Sequence, residues 1–197
     1  MMKTIALGIA TAFVSGGIAI ATQQGAAAKK LLVNNPPSGN KKIVYNSKNS
    51  SSTVFGNPSL NGASFNIALT PGGTQCMSLP ASGWSSTPTG FKYKDPSLVN
   101  GPVKVALIKA TPSGNFLLKV IAKSAAITIA PGNPTATYGT NFKINGGGDE
   151  YCASTGTATP VKNDDKKFLV NNDTGTACTA AACSSPSGAF IDASVAF

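Results

Sequence analysis

Short β-branched segments separated by Gly and Pro turns are the feature that most restricts the fold of this chain. Beyond the N-terminal region, no segment shows a sustained 3.6-residue apolar period, and runs that alternate apolar and polar residues occur instead. Turn clusters such as Pro36–Asn40, Pro131–Pro134 and Asn145–Gly148 separate these runs. This spacing predicts an all-β domain, an antiparallel β-sandwich of the immunoglobulin-like or jelly-roll-like kind.

The clearest unit is a β-hairpin over Val103–Lys123. Its two runs flank Thr111–Gly114, where Pro112 fixes φ at the first turn position and Gly114 accepts the left-handed conformation. Both runs carry apolar residues on each face, so we expect both strands to lie between packed layers. Further predicted strands are Leu31–Val33, Lys42–Tyr45, Ser64–Leu69, Ala126–Ile129, Thr137–Ile144, Glu150–Ser154, Lys167–Val170 and Ala189–Phe197.

The N-terminus has the pattern of a secretory signal peptide. Met1–Lys3 is basic, an apolar run extends over 5–21, and Ala26–Ala28 provides small residues for cleavage. We expect cleavage after Ala28, with cleavage after Ala21 as the second choice. An uncleaved anchor is disfavoured, because the run is shorter and richer in glycine than the roughly 20 apolar residues of a stable span.

The predicted organisation is therefore a signal peptide over 1–28 and one β-sandwich domain over 29–197. The mature protein is expected to be secreted into the periplasm, to the cell surface or beyond, with no membrane span after cleavage.

The chain contains four cysteines: Cys76, Cys152, Cys178 and Cys183. An even number in an exported chain predicts two disulfides. The preferred pairing joins Cys152 to Cys178 or Cys183 and Cys76 to the other, while a local Cys178–Cys183 bridge remains open. A zinc site is disfavoured because the only close pair lacks the usual spacing of zinc ligands.

The composition excludes several chemistries. The chain has no His, all 16 basic residues are Lys, and seven acidic residues leave a net charge of +9. It therefore cannot build a Ser–His–Asp triad, a His-ligated metal site or an Arg clamp for phosphate. We predict no cofactor, no metal, no catalytic residue and no enzymatic activity.

The acidic residues do not form an obvious pair for acid–base catalysis. All seven lie in or beside turns, which is typical of solvated carboxylates, and the neighbours Asp149–Glu150 and Asp164–Asp165 would point to opposite faces of a strand. Asn171–Gly175 superficially resembles a calcium loop. It offers only one carboxylate, so we interpret it as a turn.

Six lysines around the hairpin are predicted to share one surface if the segment at Tyr93 lies beside it. Such a basic patch would attract acidic envelope polymers, although solubility and protection of strand edges explain surface lysines equally well. Specific nucleic-acid binding is not expected, since it relies on Arg and stacked aromatic residues. Trp84, near Phe91 and Tyr93, is interpreted as core packing, with a sugar-stacking platform as the alternative. The predicted patch comprises Lys92, Lys94, Lys104, Lys109, Lys119 and Lys123.

The C-terminal segment alternates over Ala189–Phe197. It predicts either an ordinary final strand or one that adds to a second copy of the chain, as in pilins assembled by strand addition. The residues that share its apolar side are Ala189, Ile191, Ala193, Val195 and Phe197.

Several segments together resemble a group of exported bacterial β-rich domains without a characterised activity. They are Lys30–Val33, Gly83–Trp84, Gly90–Asp95, Gly101–Lys104, Phe116–Val120 and Tyr151–Cys152. The resemblance covers most of the mature chain and implies a single exported β-domain, with no mechanism to transfer. Members of that group often carry Cys where this chain has Val103 and where it has Ala122 or a neighbouring residue, so their disulfide pattern cannot be assumed for this chain.

These observations predict a non-catalytic exported protein with a structural or interaction role in the cell envelope or outside the cell. Its partners would be copies of itself or acidic envelope polymers. One alternative is a self-assembling fibre or surface-layer subunit. A second is a secreted protein that binds or processes carbohydrate.

Overall fold

Alternating burial along the strands divides the chain into two β-sheets. The computed structural model describes residues 22–49 and 51–183. A 3-10 turn at Ala81–Gly83 and the four-residue helix α1 (Pro58–Asn61) accompany the strands. The strands are β1 (Gln23–Gly25), β2 (Ala28–Asn34), β3 (Lys41–Asn49), β4 (Ala63–Thr70), β5 (Gly73–Leu79), β6 (Trp84–Thr87), β7 (Gly90–Lys94), β8 (Val103–Ala110), β9 (Phe116–Ser124), β10 (Thr137–Ile144), β11 (Glu150–Ser154), β12 (Lys162–Asn163) and β13 (Lys167–Asn171).

Long-range pairing sets the order of the strands. The five-stranded sheet runs β1-β11-β10-β4-β5 and the eight-stranded sheet runs β12-β13-β2-β3-β9-β8-β7-β6. Neighbouring strands are antiparallel except β1 and β11, which pair in parallel with Gln24 opposite Tyr151. The all-β prediction is confirmed, and the parallel pair is a local departure from the expected antiparallel arrangement.

Aromatic side chains join the inner faces of the two sheets. Tyr45 of β3 stacks on Phe65 of β4 with ring centroids 5.6 Å apart. Phe116 of β9 stacks on Tyr151 of β11 at 5.1 Å. All four side chains are fully buried. Such pairs contribute about 0.5–1.5 kcal/mol beyond the area they bury, and they give the molecule its sandwich-like core.

The predicted hairpin is present as β8 and β9. Gly114 adopts φ 77°, and its N–H donates to the Thr111 carbonyl at 2.9 Å, which closes the turn. The two strands lie in the middle of their sheet, but the expectation that both faces are covered is wrong. Their inward residues are buried, whereas Leu107, Leu117 and Ile121 on the other face are part-exposed.

The predicted strand at Ala126–Ile129 is irregular in the structure. Ile127 and Ile129 are buried, which explains the apolar signal. The Thr128 N–H donates to the side-chain carbonyl of Gln75 at 2.8 Å instead of to a neighbouring strand. The segment therefore contributes to the core as a loop.

Both predicted disulfides are present, and they resolve the pairing. Cys152 is bonded to Cys178 and Cys76 to Cys183, with sequence separations of 26 and 107 residues. In the chain-entropy model loops of these sizes stabilise a fold by about 3.5 and about 4.7 kcal/mol. The structure agrees with the preferred pairing and excludes the local Cys178–Cys183 bridge.

The disulfides fasten residues 178–183, which we call the strap, across the outer face of the five-stranded sheet. Cys178 ties one end to β11 and Cys183 ties the other to β5. Between them, Asn66 of β4 donates its side-chain amide to the Ala181 carbonyl at 2.6 Å. Gly139 of β10 lies directly beneath, where a Cβ atom would come within 2.4 Å of the Thr179 hydroxyl oxygen. The strap thus crosses the outer surface of this sheet from β11 to β5.

Candidate functional site

The outer face of the eight-stranded sheet collects most of the lysines, and we call it the lysine face. Lys92 of β7 lies opposite Leu107 of β8, which lies opposite Lys119 of β9. The segment at Tyr93 therefore does lie beside the hairpin. Because side chains alternate between faces, strand register places ten lysines on the lysine face. They are Lys30, Lys42, Lys48, Lys92, Lys94, Lys109, Lys119, Lys123, Lys162 and Lys167.

Five of the six lysines predicted for a common surface occupy regular positions on this face. The sixth, Lys104, lies at the irregularity in β8 between Val103 and Val105. Sequence reasoning missed the lysines of β2, β3, β12 and β13. Alternation with buried Ile43 could have predicted that Lys42 lies on the outer face of its strand. No sequence pattern, however, predicted that β3 pairs with β9.

A row of aliphatic side chains crosses the centre of the lysine face, and we call it the aliphatic stripe. It consists of consecutive cross-strand neighbours on five strands. Lys162 lies beyond one end and Lys94 beyond the other. All its members are part-exposed except Val44, which is 8% exposed. From β13 to β8 they are Leu169, Leu32, Val44, Ile121 and Val105.

Lysines border the aliphatic stripe on both sides. One neighbouring row contains Lys30, Lys119 and Lys92. The row on the other side contains Lys167 and the directly opposed pair Lys42 and Lys123. Lysine stems lie along apolar surface while their ammonium groups remain in water. The lysine face is therefore amphipathic, with an apolar centre and a cationic border.

Little negative charge balances the lysine face. In the described part of the chain the ion pairs are Lys143–Glu150 at 3.0 Å, on the other sheet, and Lys162–Asp164 at 2.7 Å, at one edge. The remaining nine lysines of the face have no carboxylate partner among residues 22–49 and 51–183. Lys42 and Lys123 even face each other across two strands, an arrangement of like charges that lowers stability.

The aromatic residues considered for sugar stacking lie in the core. Trp84 is 7% exposed, its ring lies 5.4 Å from that of Tyr93, and its indole N–H donates to the Leu79 carbonyl at 3.2 Å. Tyr93 is buried, and Phe91 packs against the core. These contacts agree with the core-packing interpretation and leave no aromatic platform at Trp84.

Three carboxylates beside turns are buried instead of solvated: Asp95, Asp149 and Asp173. Asp95 accepts hydrogen bonds from the N–H groups of Val99 at 3.1 Å and Asn100 at 2.8 Å, and so closes the turn after β7. A carboxylate that faces backbone donors positions a loop. Its surroundings do not favour proton transfer or cation binding.

Asp173 lies in the segment that superficially resembles a calcium loop. Its oxygens accept hydrogen bonds from the N–H groups of Gly156, Ala158 and Thr174 and from the Tyr138 hydroxyl, at 2.8–3.1 Å. Burial acts to raise the pKa of Asp173, but these donors outweigh it and hold the pKa below its usual value. Donors that point at the carboxylate support the turn interpretation.

No cluster suited to a metal ion occurs within the described residues, where no group of three or more Cys, Asp or Glu side chains converges. A cleft of about 340 Å³ lies beside the strap and is lined by small side chains such as Ala68, Thr70, Ser154 and Thr179. Its lining residues carry no acid or base pair.

We compared the chain with known families, curated proteins and solved structures. No protein-family model, curated protein or solved structure matches it. The resemblance to exported β-rich domains therefore stays a prediction. In the described segments, no helix has the length and hydropathy needed to cross a membrane.

The residues predicted for strand addition, Ala189, Ile191, Ala193, Val195 and Phe197, lie outside the described residues. The position of Cys183, which precedes them in the chain, is nonetheless fixed by a disulfide. Cys183 is bonded to Cys76 of β5, and β5 is the terminal strand of the five-stranded sheet. The segment that follows Cys183 therefore begins beside a sheet edge.

Proposed function

We propose that this protein is an exported, non-catalytic interaction domain that docks through the lysine face on an anionic lipid surface of the cell envelope. The observation that carries the proposal is the aliphatic stripe bordered by lysines without carboxylate partners. An apolar centre with a cationic border matches a surface that offers acidic headgroups above an apolar layer.

Export is supported by the disulfides and by the N-terminal pattern. Two disulfides persist in an oxidising compartment and are rare in the reducing cytosol. Met1–Lys3 and the apolar run after it have the order of a signal peptide. A domain that lies on the outer leaflet or in the periplasm meets anionic lipid directly.

The chemistry of the lysine face favours lipid over other acidic partners. Sugar and nucleic-acid sites usually stack their ligands on aromatic rings, and the side chains placed on this face by strand register are aliphatic or polar. A second copy of the same face is disfavoured because its lysines would repel. An acidic polysaccharide would use the charges but would leave the stripe without a function.

Vesicle flotation with the oxidised protein tests the charge requirement. We expect binding to vesicles that contain phosphatidylglycerol and little binding to phosphatidylcholine alone. Each lysine near an anionic surface contributes about 1 kcal/mol, so Lys92→Gln with Lys119→Gln should weaken partitioning more than tenfold. The matched control is Lys41→Gln with Lys143→Gln, which removes the same charge from two sites off the face, since Lys41 alternates with Lys42 on β3 and Lys143 lies on the other sheet. Equal losses in both pairs would contradict the proposal.

The aliphatic stripe separates lipid from a soluble acidic polymer. Val105 and Ile121 are cross-strand neighbours at its β8 end, and threonine at both positions keeps β-branching while adding hydroxyls. This variant should bind vesicles several-fold more weakly and dextran sulfate equally well. Val99→Thr, at a site 82% exposed in a turn, is the control. Unchanged vesicle binding would favour an acidic polysaccharide as the partner.

A second candidate function is assembly by strand addition, supported by the place where the C-terminal segment begins. Residues 184–197 follow Cys183 at the edge of the five-stranded sheet, where an added strand finds unpaired backbone groups. Deletion of residues 189–197 should then abolish filaments seen by negative-stain electron microscopy. A full-length protein that stays monomeric at high concentration by light scattering would end this candidate.

A further inference from the structure

Asp149 is a buried carboxylate whose described partners all come from the N-terminal end of the fold. The residue is 2% exposed. The backbone N–H and the hydroxyl of Thr22 both donate to its Oδ1 at 2.9 Å, and the Gln24 side-chain amide donates to its Oδ2. In the part of the chain that the structure describes, it takes part in neither ion pair. Three donors satisfy this carboxylate with hydrogen bonds, and a cation at the same place would in addition offset the cost of burying its negative charge.

The segment that reaches Asp149 is an integral part of the sheet. The Glu150 N–H donates to the Thr22 carbonyl at 3.0 Å, and the Ala26 N–H donates to the Cys152 carbonyl at 2.7 Å. Ala26 and Ala28 are fully buried, and the Tyr45 hydroxyl donates to the Ala26 carbonyl. A chain that began at Lys29 would lose β1, two buried alanines and the described partners of Asp149.

The sequence offers a cleavage site immediately before this segment. Ala19 and Ala21 are small residues at the third-last and last positions of a leader that would end at Ala21, the pattern that signal peptidase requires. Cleavage there keeps β1 and the partners of Asp149 in the mature chain and makes Thr22 its first residue.

We propose that signal peptidase hydrolyses the Ala21–Thr22 bond and that the resulting Thr22 ammonium forms a buried ion pair with Asp149. One water is consumed: the amide C–N bond breaks, Ala21 keeps the new carboxylate, and the Thr22 nitrogen is protonated to an ammonium. The distance of 2.9 Å between the Thr22 nitrogen and Asp149 Oδ1 suits a charge-assisted hydrogen bond.

Cleavage therefore creates a cation at the position where the fold buries an anion. In the uncleaved precursor the same nitrogen belongs to a neutral amide, so the ion pair becomes available only once the leader is removed. This inference rests on the export of the chain and is independent of the lysine face.

The first test is the N-terminus of the exported protein. The full chain is produced in a bacterium that exports it, and the oxidised product is analysed by intact mass and by labelling of the α-amine. We expect a chain that starts at Thr22 and carries two disulfides. A chain that starts at Lys29 overturns this inference and leaves export intact, whereas a chain that retains Met1 overturns both.

The second test is the pH dependence of stability. An α-amine ordinarily titrates at roughly pH 7.7–8.0, and the ion pair raises its pKa in the folded state. The stabilisation is therefore complete below about pH 7.7 and is lost as the pH rises through the raised pKa.

The difference in stability between the wild type and Asp149→Asn should accordingly shrink between pH 7 and pH 11, while titrations common to both proteins cancel. The difference from Asp165→Asn, an exposed site that takes part in neither described ion pair, should not change in that range. A constant difference for Asp149→Asn would overturn the ion pair.

If Asp149→Asn does not fold, acylation of the Thr22 α-amine in the wild type decides the matter. A paired and buried ammonium should react at least tenfold more slowly in the folded protein than in urea. Equal rates would overturn the ion pair.

Discussion

Asp173 shows how single side chains hold the loops of this protein. Its carboxylate receives N–H groups from residues 156 and 158 and from residue 174, so it fastens the loop after β11 to the segment after β13. The Tyr138 hydroxyl adds a fourth donor from the core at 3.0 Å. The ionised form is the one that this arrangement stabilises.

Asp173→Asn should therefore lower stability at pH 7 by about 2–3 kcal/mol, because an amide group would point N–H toward backbone donors. The folded-state pKa of Asp173 is lowered, so its contribution is complete above the unfolded pKa and is lost as the pH falls through the folded one. Urea unfolding from pH 7 to pH 2 should show a shallower acid dependence in the variant. Asp165→Asn, exposed in a turn, is the control, and an equal loss there would contradict this role.

The burial of these carboxylates was not predictable from the sequence. The sequence pattern correctly placed these residues beside turns. It predicted, however, that the carboxylates of Asp95, Asp149 and Asp173 would be exposed to solvent. Asp149 and Asp173 are buried because two segments distant in the chain meet around each of them, whereas the partners of Asp95 lie only four and five residues further along. That convergence depends on how the sheets pack, which local patterns do not encode.

The strap is an element whose position depends on a single small residue beneath it. A Cβ atom at Gly139 would lie 2.4 Å from the Thr179 hydroxyl oxygen and 2.9 Å from the Ala180 backbone nitrogen. The backbone of the strap cannot move away from such a Cβ atom as long as both of its ends are disulfide-bonded to the sheet.

Gly139→Val should lower stability by about 1–3 kcal/mol in the oxidised protein, since overpacking forces the strap outward. In a background with Cys76→Ser and Cys183→Ser one end of the strap is released, and the same substitution should cost less. Urea unfolding of the four proteins gives the coupling free energy. Equal costs in both backgrounds would indicate that the strap does not restrain Gly139.

At the level of elements, the sequence predicted strands where alternation was strong and turns where Gly and Pro cluster. The β8–β9 hairpin is the clearest success, because Pro112 and Gly114 carry its turn locally. Short strands such as β1 and β12 were missed, since their order comes from pairing partners far along the chain. Ile127 and Ile129 misled the prediction because burial in a loop produces the same pattern as burial in a strand.

For the whole molecule, the important property is the concentration of lysine on one face of the eight-stranded sheet. The register β3–β9–β8–β7 assembles the lysine face, whereas the described carboxylates lie at loops, at a sheet edge or on the other sheet. Composition predicted the excess of lysine, and the hairpin predicted part of its location. The aliphatic stripe became visible only through cross-strand register.

Reversing the charge of one lysine on the lysine face should change the stability of the protein and its binding to anionic vesicles in different ways. Lys123→Glu places a carboxylate opposite Lys42 and should raise the free energy of unfolding by about 0.2–1 kcal/mol while weakening binding to anionic vesicles. Lys109→Glu lies opposite Leu117 and Gly90, so it should weaken vesicle binding without that gain. Urea unfolding and flotation at one salt concentration measure both effects. Vesicle binding that survives both reversals would argue against docking through this face.

The bond between Cys76 and Cys183 also determines how tension would pass through the molecule. A pull applied at the C-terminal end reaches Cys183 and crosses the disulfide to Cys76, so the intervening loop, with its sequence separation of 107 residues, carries no load. Only the polypeptide before Cys76 and after Cys183 can lengthen. More than half of the 197-residue chain is in this way kept from extending under a force applied at its two ends.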